Sequence, residues 1–301
     1  MNWQVICAAN ARNAGGSSMS FKQKLQQKRA ILVPGAPNAL AARVITDLGF
    51  EAIYVTGAGV TNMSLGLPDL SFVDLTQIVQ HTMAIRNVTD LPLVVDADTG
   101  FGNAVNVAHT VHMLERAGAS AVQIEDQKMP KRCGHFAGKE LVAPQEMAAK
   151  VKAAVDARRS NELLIIARTD ARATEGFQAA LDRASLYVEA GADLIFIEAP
   201  ESEDEVRRIP ASLPVPQLVN LVVGGRTPIF DQAELAEIGF AMVLYANVAL
   251  QGAILGMQNA LGALVRDGRM DEDGALVTSF AERQRLVRKS HYDELERRYA
   301  T

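Results

Sequence analysis

The chain has 301 residues, 49% of them hydrophobic and 22% charged, enough for one large domain with a substantial core. Its formal net charge of -5 argues against nucleic acid or an anionic membrane surface as the main partner, and no wholly apolar run reaches the roughly 18 residues of a membrane span. Two cysteines, Cys7 and Cys133, make no disulfide framework and fit a reducing cytoplasm.

In chain order, residues 1–20 have neither the basic start nor the long apolar stretch of a signal peptide, and read as a disordered leader without a function. From residue 21 the chain reads as a single domain. A strand, AILVPG (30–35), precedes a helical pattern, NALAARVITDL. Four segments then share one form: DLGFEAIYVTG (47–57), RAGASAVQIED (116–126), EAGADLIFIEA (189–199) and EIGFAMVLYAN (237–247). Each closes a helix on a glycine suited to positive φ and runs directly into an apolar strand. Between them lie LPLVVDAD (91–98), LLIIARTD (163–170) and VPQLVNLV (215–222), each a continuous apolar run of the kind buried on both faces of a parallel sheet. Eight strands alternating with helices predict a (β/α)8 barrel; an open doubly wound sheet is the alternative, but no GxGxxG follows the first strand. From about residue 246 a long apolar helix and a charged one extend past the barrel, suited to packing on a neighbouring subunit.

Barrel enzymes carry their reactive groups at the C-terminal ends of the strands. Here those ends read TGAG, DADTG, EDQ, RTD and EAP, after strand bodies that are almost wholly apolar. Asp96 and Asp98, two apart on a strand, are expected to leave the same face. With Glu125 and Glu198 they form an oxygen-only set suited to Mg2+, with Mn2+ as substitute. The plainer reading has these acids capping helices or pairing with Arg168. His109, His112 and Glu115 share a helix face, but the spacing is not that of a zinc motif, and a solvated face is expected. All nine lysines fall outside the proposed strands, which disfavours imine chemistry.

Residues 127–143, QKMPKRCGHFAGKELVA, are too long for a routine strand-to-helix turn. Gly134 and Gly138 give freedom, Lys131 and Arg132 can bind carboxylates, and Cys133 sits beside Arg132 and near His135, a setting that lowers a thiol pKa. The stretch reads as a lid that closes over an anion.

With YVTGAGVTNMSLGLPD, DADTGFG, KRCGH, IIARTDAR and FIEAP, the chain resembles the isocitrate lyase/phosphoenolpyruvate mutase superfamily from about residue 20 to 295. That resemblance implies a (β/α)8 barrel, Mg2+ dependence, a gating loop and a homotetramer whose last barrel helix swaps between subunits. It implies that Asp96 ligates Mg2+ directly, while Asp69, Asp98 and Glu125 act mostly through water. Thr56, Gly57 and Ala58 would hold an oxo-acid carboxylate and Arg168 a substrate carboxylate, with Glu198 and Asn220 lining the far side. Cys133 would protonate the carbanion released on C–C cleavage, while Lys131, Arg132, Gly134 and His135 would complete the loop site. The KRCGH loop points to the lyase branch, acting on alkylated malates or methylisocitrate. A carboxyphosphonoenolpyruvate phosphonomutase and an oxaloacetate hydrolase or decarboxylase are the alternatives. Val223 and Val248 stand where methylisocitrate-type lyases usually carry polar residues, implying a smaller or more alkylated substrate.

Overall fold

The computed structural model describes residues 19–132, 134, 138–272 and 275–300. The leader assigned to residues 1–20 falls almost entirely outside the described residues, as do Cys133 and His135. Eight parallel strands close into a barrel in sequence order. They are β1 (Ile31–Ala36), β2 (Ile53–Val55), β3 (Leu93–Asp96), β4 (Ala121–Glu125), β5 (Leu164–Thr169), β6 (Leu194–Ile197), β7 (Gln217–Asn220) and β8 (Met242–Tyr245). The glycines that announce alternate strands, Gly49, Gly118, Gly191 and Gly239, all have φ between 81° and 105°, so each ends its helix in a conformation L side chains avoid.

Strand parity divides the core in two. Ile31, Val33, Tyr54, Val94, Ala121, Leu164, Ile166, Leu194, Phe196, Leu218, Met242 and Leu244 fill the barrel lumen. The alternate positions, among them Val55, Val95, Val122, Ile165, Ile195, Val219 and Val243, pack outward with the surrounding helices. Before β1, α1 (Phe21–Gln26) starts on a capping box between Ser20 and Gln23 and buries Leu25 with the lumen residues, stopping the lower end of the barrel. The outer helices are α2 (Ala39–Asp47), α3 (Gly57–Leu65), α4 (Leu75–Arg86), α5 (Ala104–Arg116), α6 (Pro144–Ala157), α7 (Ala171–Thr174), α8 (Phe177–Glu189), α9 (Glu203–Ser212) and α10 (Gln232–Ile238).

The seam between β1 and β8 is tight. A Cβ on Gly35 would lie 1.9 Å from the carbonyl oxygen of Ala246, a backbone atom that cannot retreat without opening the barrel. Gly35→Ala is therefore expected to destabilise the fold by about 1–3 kcal/mol or more, read as a lower urea midpoint at unchanged denaturant slope.

Beyond the barrel come α11 (Val248–Asp267), α12 (Phe280–Leu286) and α13 (Lys289–Tyr299). By length and composition α11 is apolar enough to cross a membrane, although Gln251, Gln258 and Asn259 interrupt it so that no wholly apolar run stands out in the sequence. It is continuous with β8 and packs against β1, yet leaves Leu255, Leu261 and Val265 exposed.

Candidate active site

The parity that fills the lumen also sets what caps it. Above Val94 comes Asp96, above Ala121 come Gln123 and Glu125, above Leu164 and Ile166 comes Arg168, above Phe196 comes Glu198, and above Leu218 comes Asn220. Each of these five inward-facing rows, from β3 to β7, thus ends in a polar group at the C-terminal mouth. Tyr54, Thr56, Ala58, Asp69, Asp96, Lys131, Arg132, Gly134, Arg168, Phe196, Glu198, Asn220, Val222, Ala246 and Asn247 enclose one cavity of about 40 Å³, room for a few water molecules.

Two buried cations organise the acids. The Arg168 Nε lies 3.0 Å from Asp170 and 3.3 Å from Glu125, and its Nη2 lies 3.1 Å from Glu198. The guanidinium also sits over the Phe196 ring, 5.2 Å from its centroid. The plainer reading therefore holds for part of the set: Glu125 and Glu198 are partners of Arg168. Burial pushes the Glu125 carboxyl well above its usual range, against the pull of Arg168. Asp170, although buried, is held below the usual carboxylate range by Arg168 and Lys139.

The second cation is Lys131, whose Nζ lies 2.5 Å from Asp69 and 3.0 Å from Asp98. Burial raises the Asp98 carboxyl to about 7, opposed by Lys131 and reinforced by Asp96 and Asp69. Burial would lower Lys131, but Asp98, Asp69, Glu125 and Asp96 hold it well above its ordinary value. Lys131 is thus a desolvated lysine kept charged, the wrong state for imine formation. Asp98 does reach the site, though not by strand alternation. β3 ends at Asp96, and Asp98 has φ of 48°, its amide donating to Asp96 Oδ1 at 3.1 Å. That turn delivers its carboxylate beside Asp96, both 3.3 Å from where a Cβ on Gly57 would stand.

Gly57 opens α3, a helix the glycine-rich TGAGV stretch did not announce. Thr56 caps it, its hydroxyl accepting from the Gly59 amide at 3.2 Å. The first-turn amides of Gly57 and Ala58 have no acceptor within the helix and stand beside the cavity.

The 127–143 loop is fastened at its stem: the Lys128 amide donates to Glu140 O (2.8 Å) and the Val142 amide to Asp126 O (2.9 Å). The Gln127 side chain grips the main chain of Arg132 at both N and O, and Ser71 does the same for Lys131. Farther along, Gly134 lies so close to the mouth that a Cβ there would be 2.5 Å from Arg168 Nη2 and 2.6 Å from Glu198 Cδ. Lys139 Nζ donates to Gly134 O (2.5 Å) and pairs with Asp170 (2.7 Å). Lys139, Asp170, Gln127 and Ser71 escaped the sequence reading. Only Asp170 left a signal, two residues beyond Arg168 in RTD.

The structure adjusts the expectations for the two valines and for an unaided metal set. Val223 and Val248 are 56% and 44% exposed, and the cavity wall is formed by Val222 and Asn247 instead. His109 is exposed, in keeping with the solvated face expected of it, and Glu115 accepts the amides of Arg159 and Ser160. Among the described residues no three His, Cys, Asp or Glu groups converge closely enough to hold a metal unaided. The mouth nevertheless suits a hard cation. Its carboxylates outnumber the cations paired with them, Asp98 is driven towards its neutral form, and Glu125 Oε1 is buried without a hydrogen-bond partner among the described residues. Asp96, Asp69, Asp98 and Glu125 offer the oxygen donors that such an ion takes.

A family model described as phosphoenolpyruvate phosphomutase matches residues 21–265. The chain belongs to that family, within the phosphoenolpyruvate mutase/isocitrate lyase superfamily. Family members with curated names include the 2,3-dimethylmalate lyase of Eubacterium barkeri, 42% identical over 285 residues, 95% of this chain and 99% of that protein. The 2-methylisocitrate lyase of Aeropyrum pernix is 44% identical over 248 residues, 82% and 80% of the two chains. Among solved structures, phosphonopyruvate hydrolase in complex with oxalate and Mg++ superposes with a TM-score of 0.83 at 32% identity, covering 94% of this chain and all of that one.

Proposed function

We propose that this phosphoenolpyruvate mutase-family chain is a Mg2+-dependent carbon–carbon lyase. It would cleave a 2-hydroxy di- or tricarboxylic acid, of the alkylated malate or methylisocitrate type, to pyruvate or another short 2-oxo acid plus a carboxylate. One observation carries this reading: Asp96 at the end of β3, Glu198 after β6, the capped N-terminus of α3 and the loop cations Lys131 and Arg132 all line one small cavity. The lyases of Eubacterium barkeri and Aeropyrum pernix support the reaction class, and the oxalate and Mg++ of the phosphonopyruvate hydrolase complex support the metal.

A bound divalent cation would supply the Lewis acidity that eases loss of the hydroxyl proton. The amides of Gly57 and Ala58 and the Thr56 hydroxyl would orient the carboxylate of the nascent oxo acid. Arg168, fixed by Asp170 and Phe196, would face a second carboxylate, with Glu198 and Asn220 on the far side. Lys131 and Arg132, with His135, would offset the charge that develops on the departing fragment, and Cys133 would protonate its carbanion. The apolar wall of Phe196, Val222 and Ala246 favours a small, alkylated fragment. We assign α11 to a neighbouring subunit of a homotetramer rather than to a membrane, because its first turns, through Ala249 and Ala253, line an apolar groove with Leu40, Val44 and Met63 of the barrel flank, and its leucines beyond are exposed. A cytoplasmic enzyme acting on a small molecule is the corresponding setting.

The test is proton and phosphorus NMR with Mg2+ and a panel of 2-methylisocitrate, 2,3-dimethylmalate, oxaloacetate and phosphonopyruvate. The expected result is an oxo acid from a hydroxy acid, with a new C–H on the partner fragment and at least a 10²-fold loss of rate (order of magnitude) after EDTA that Mg2+ restores. A phosphorus shift without C–C cleavage, or oxalate from oxaloacetate alone, would replace the lyase assignment.

A further inference from the structure

We propose that Lys139 is a positioning residue for this reaction. It ties the loop that carries Arg132, Cys133 and Gly134 to the carboxylate that orients Arg168, and the proposal rests on the lyase reading above. Its ammonium is shared between the Gly134 carbonyl (2.5 Å) and Asp170 Oδ1 (2.7 Å), and the side chain is 2% exposed against 0% for Asp170. The same Asp170 carboxylate accepts Arg168 Nε at Oδ2 (3.0 Å) and Nη2 at Oδ1 (3.2 Å). One carboxylate therefore fixes both the guanidinium at the barrel mouth and the lysine that seats the loop.

Asp170 is itself held from below. Its amide donates to Asp126 Oδ1 (2.9 Å), and Asp126 Oδ2 accepts from Thr169 (2.7 Å), Tyr187 (2.8 Å) and Arg183 (3.3 Å). Arg183 Nη1 also donates to Val142 O at the stem of the loop (3.0 Å). The stem is thus secured independently of Lys139, while Gly134 receives its hydrogen bond from Lys139. The contrast within the loop is informative. Lys128–Glu140 at the stem is 55% and 75% exposed, a pair worth little in water. The Lys139–Asp170 pair is dry, where geometry and charge weigh more. Replacing Lys139 by a neutral residue leaves Asp170 its two bonds to Arg168, so no carboxylate is stranded and the effect should fall on the placement of the loop.

The experiment compares Lys139→Gln and Lys139→Arg with wild type by steady-state kinetics, thermal melting and amide hydrogen exchange of peptides covering 128–143. For Lys139→Gln, kcat should fall about 10²-fold, the order expected of a misplaced group, with KM changed much less. Exchange should accelerate in 128–143 while the β3–β6 peptides keep wild-type rates. Lys139→Arg, which keeps charge and reach, should recover most of the lost kcat. Wild-type kcat in Lys139→Gln, or exchange rising throughout the barrel in both variants, would overturn the proposal. If wild type cleaves none of the panel acids, the lyase reading fails, and local exchange in 128–143 then decides for or against the clamp without turnover.

Discussion

Replacing Arg168 by methionine is expected to lower kcat/KM by roughly 10²–10³-fold or more and to cost about 3–5 kcal/mol of stability. Arg168 is nearly buried, and its Nε and Nη2 meet carboxylates of three residues, Glu125, Asp170 and Glu198. Removing one partner of a buried ionic cluster leaves charge without compensation, which costs more than the intact cluster contributes. Asp170 would keep Lys139. Glu125 would lose its guanidinium while its Oε1 already has no hydrogen bond among the described residues.

The pH dependence tests this account. Glu125 is pushed up by burial and drawn down by Arg168, so the variant's Glu125 should lie higher still. A carboxyl whose folded pKa exceeds its unfolded value favours the folded state at low pH. That contribution is lost as pH rises from the ordinary carboxylate range through the raised folded value. The stability gap between Arg168→Met and wild type should therefore stay constant up to the raised folded pKa of wild-type Glu125 and widen only as pH rises beyond it, measured by urea unfolding at several pH values. A gap independent of pH would place the cost elsewhere than in Glu125. Arg168→Lys should regain part of the stability but less of the activity, because an ammonium cannot reproduce the fork that engages Asp170 through two nitrogens.

The barrel was legible because its signals are local and repeated: a positive-φ glycine, an apolar strand, a polar residue at the strand end. Parity then carried Asp96, Glu125, Arg168, Glu198 and Asn220 inward, since a strand's alternation is fixed once one lumen residue is placed. Three kinds of feature were not legible. Asp98 arrives by a left-handed turn, which no alternation rule anticipates. α3 begins in a glycine-rich stretch of low helical propensity and depends on the Thr56 cap and its packing instead. Lys139 and Asp170 are 31 residues apart in sequence, and nothing in either segment announces that a loop ammonium folds back onto the end of β5. The sequence also left the partners of Glu125 and Glu198 open between an ion and Arg168, because both alternatives use the same residue types and only distances separate them.

Replacement of Gly134 by alanine is expected to reduce kcat by about 10²-fold or more, with the barrel still folded, because the contact it breaks lies in the loop and not in the lumen. The added methyl would stand 2.5 Å from Arg168 Nη2 and 2.6–2.7 Å from Glu198 Cδ and Cγ. Neither neighbour retreats freely: Arg168 is pinned by Asp170 and Phe196, and Glu198 by Arg168. The loop must therefore lift, and a lift of order 1 Å at a reacting group costs on the order of 10²-fold. Gly134 adjoins Cys133 in sequence, so the displacement acts on the residue proposed to deliver the proton. Melting temperature within a few degrees of wild type, loss of kcat, and retained binding of oxalate with Mg2+ by calorimetry would together locate the effect in loop seating. Full activity in Gly134→Ala would mean that the reaction does not require the loop to lie against Arg168 and Glu198. A parallel loss of oxalate binding would instead mean that the methyl has distorted Arg168 itself.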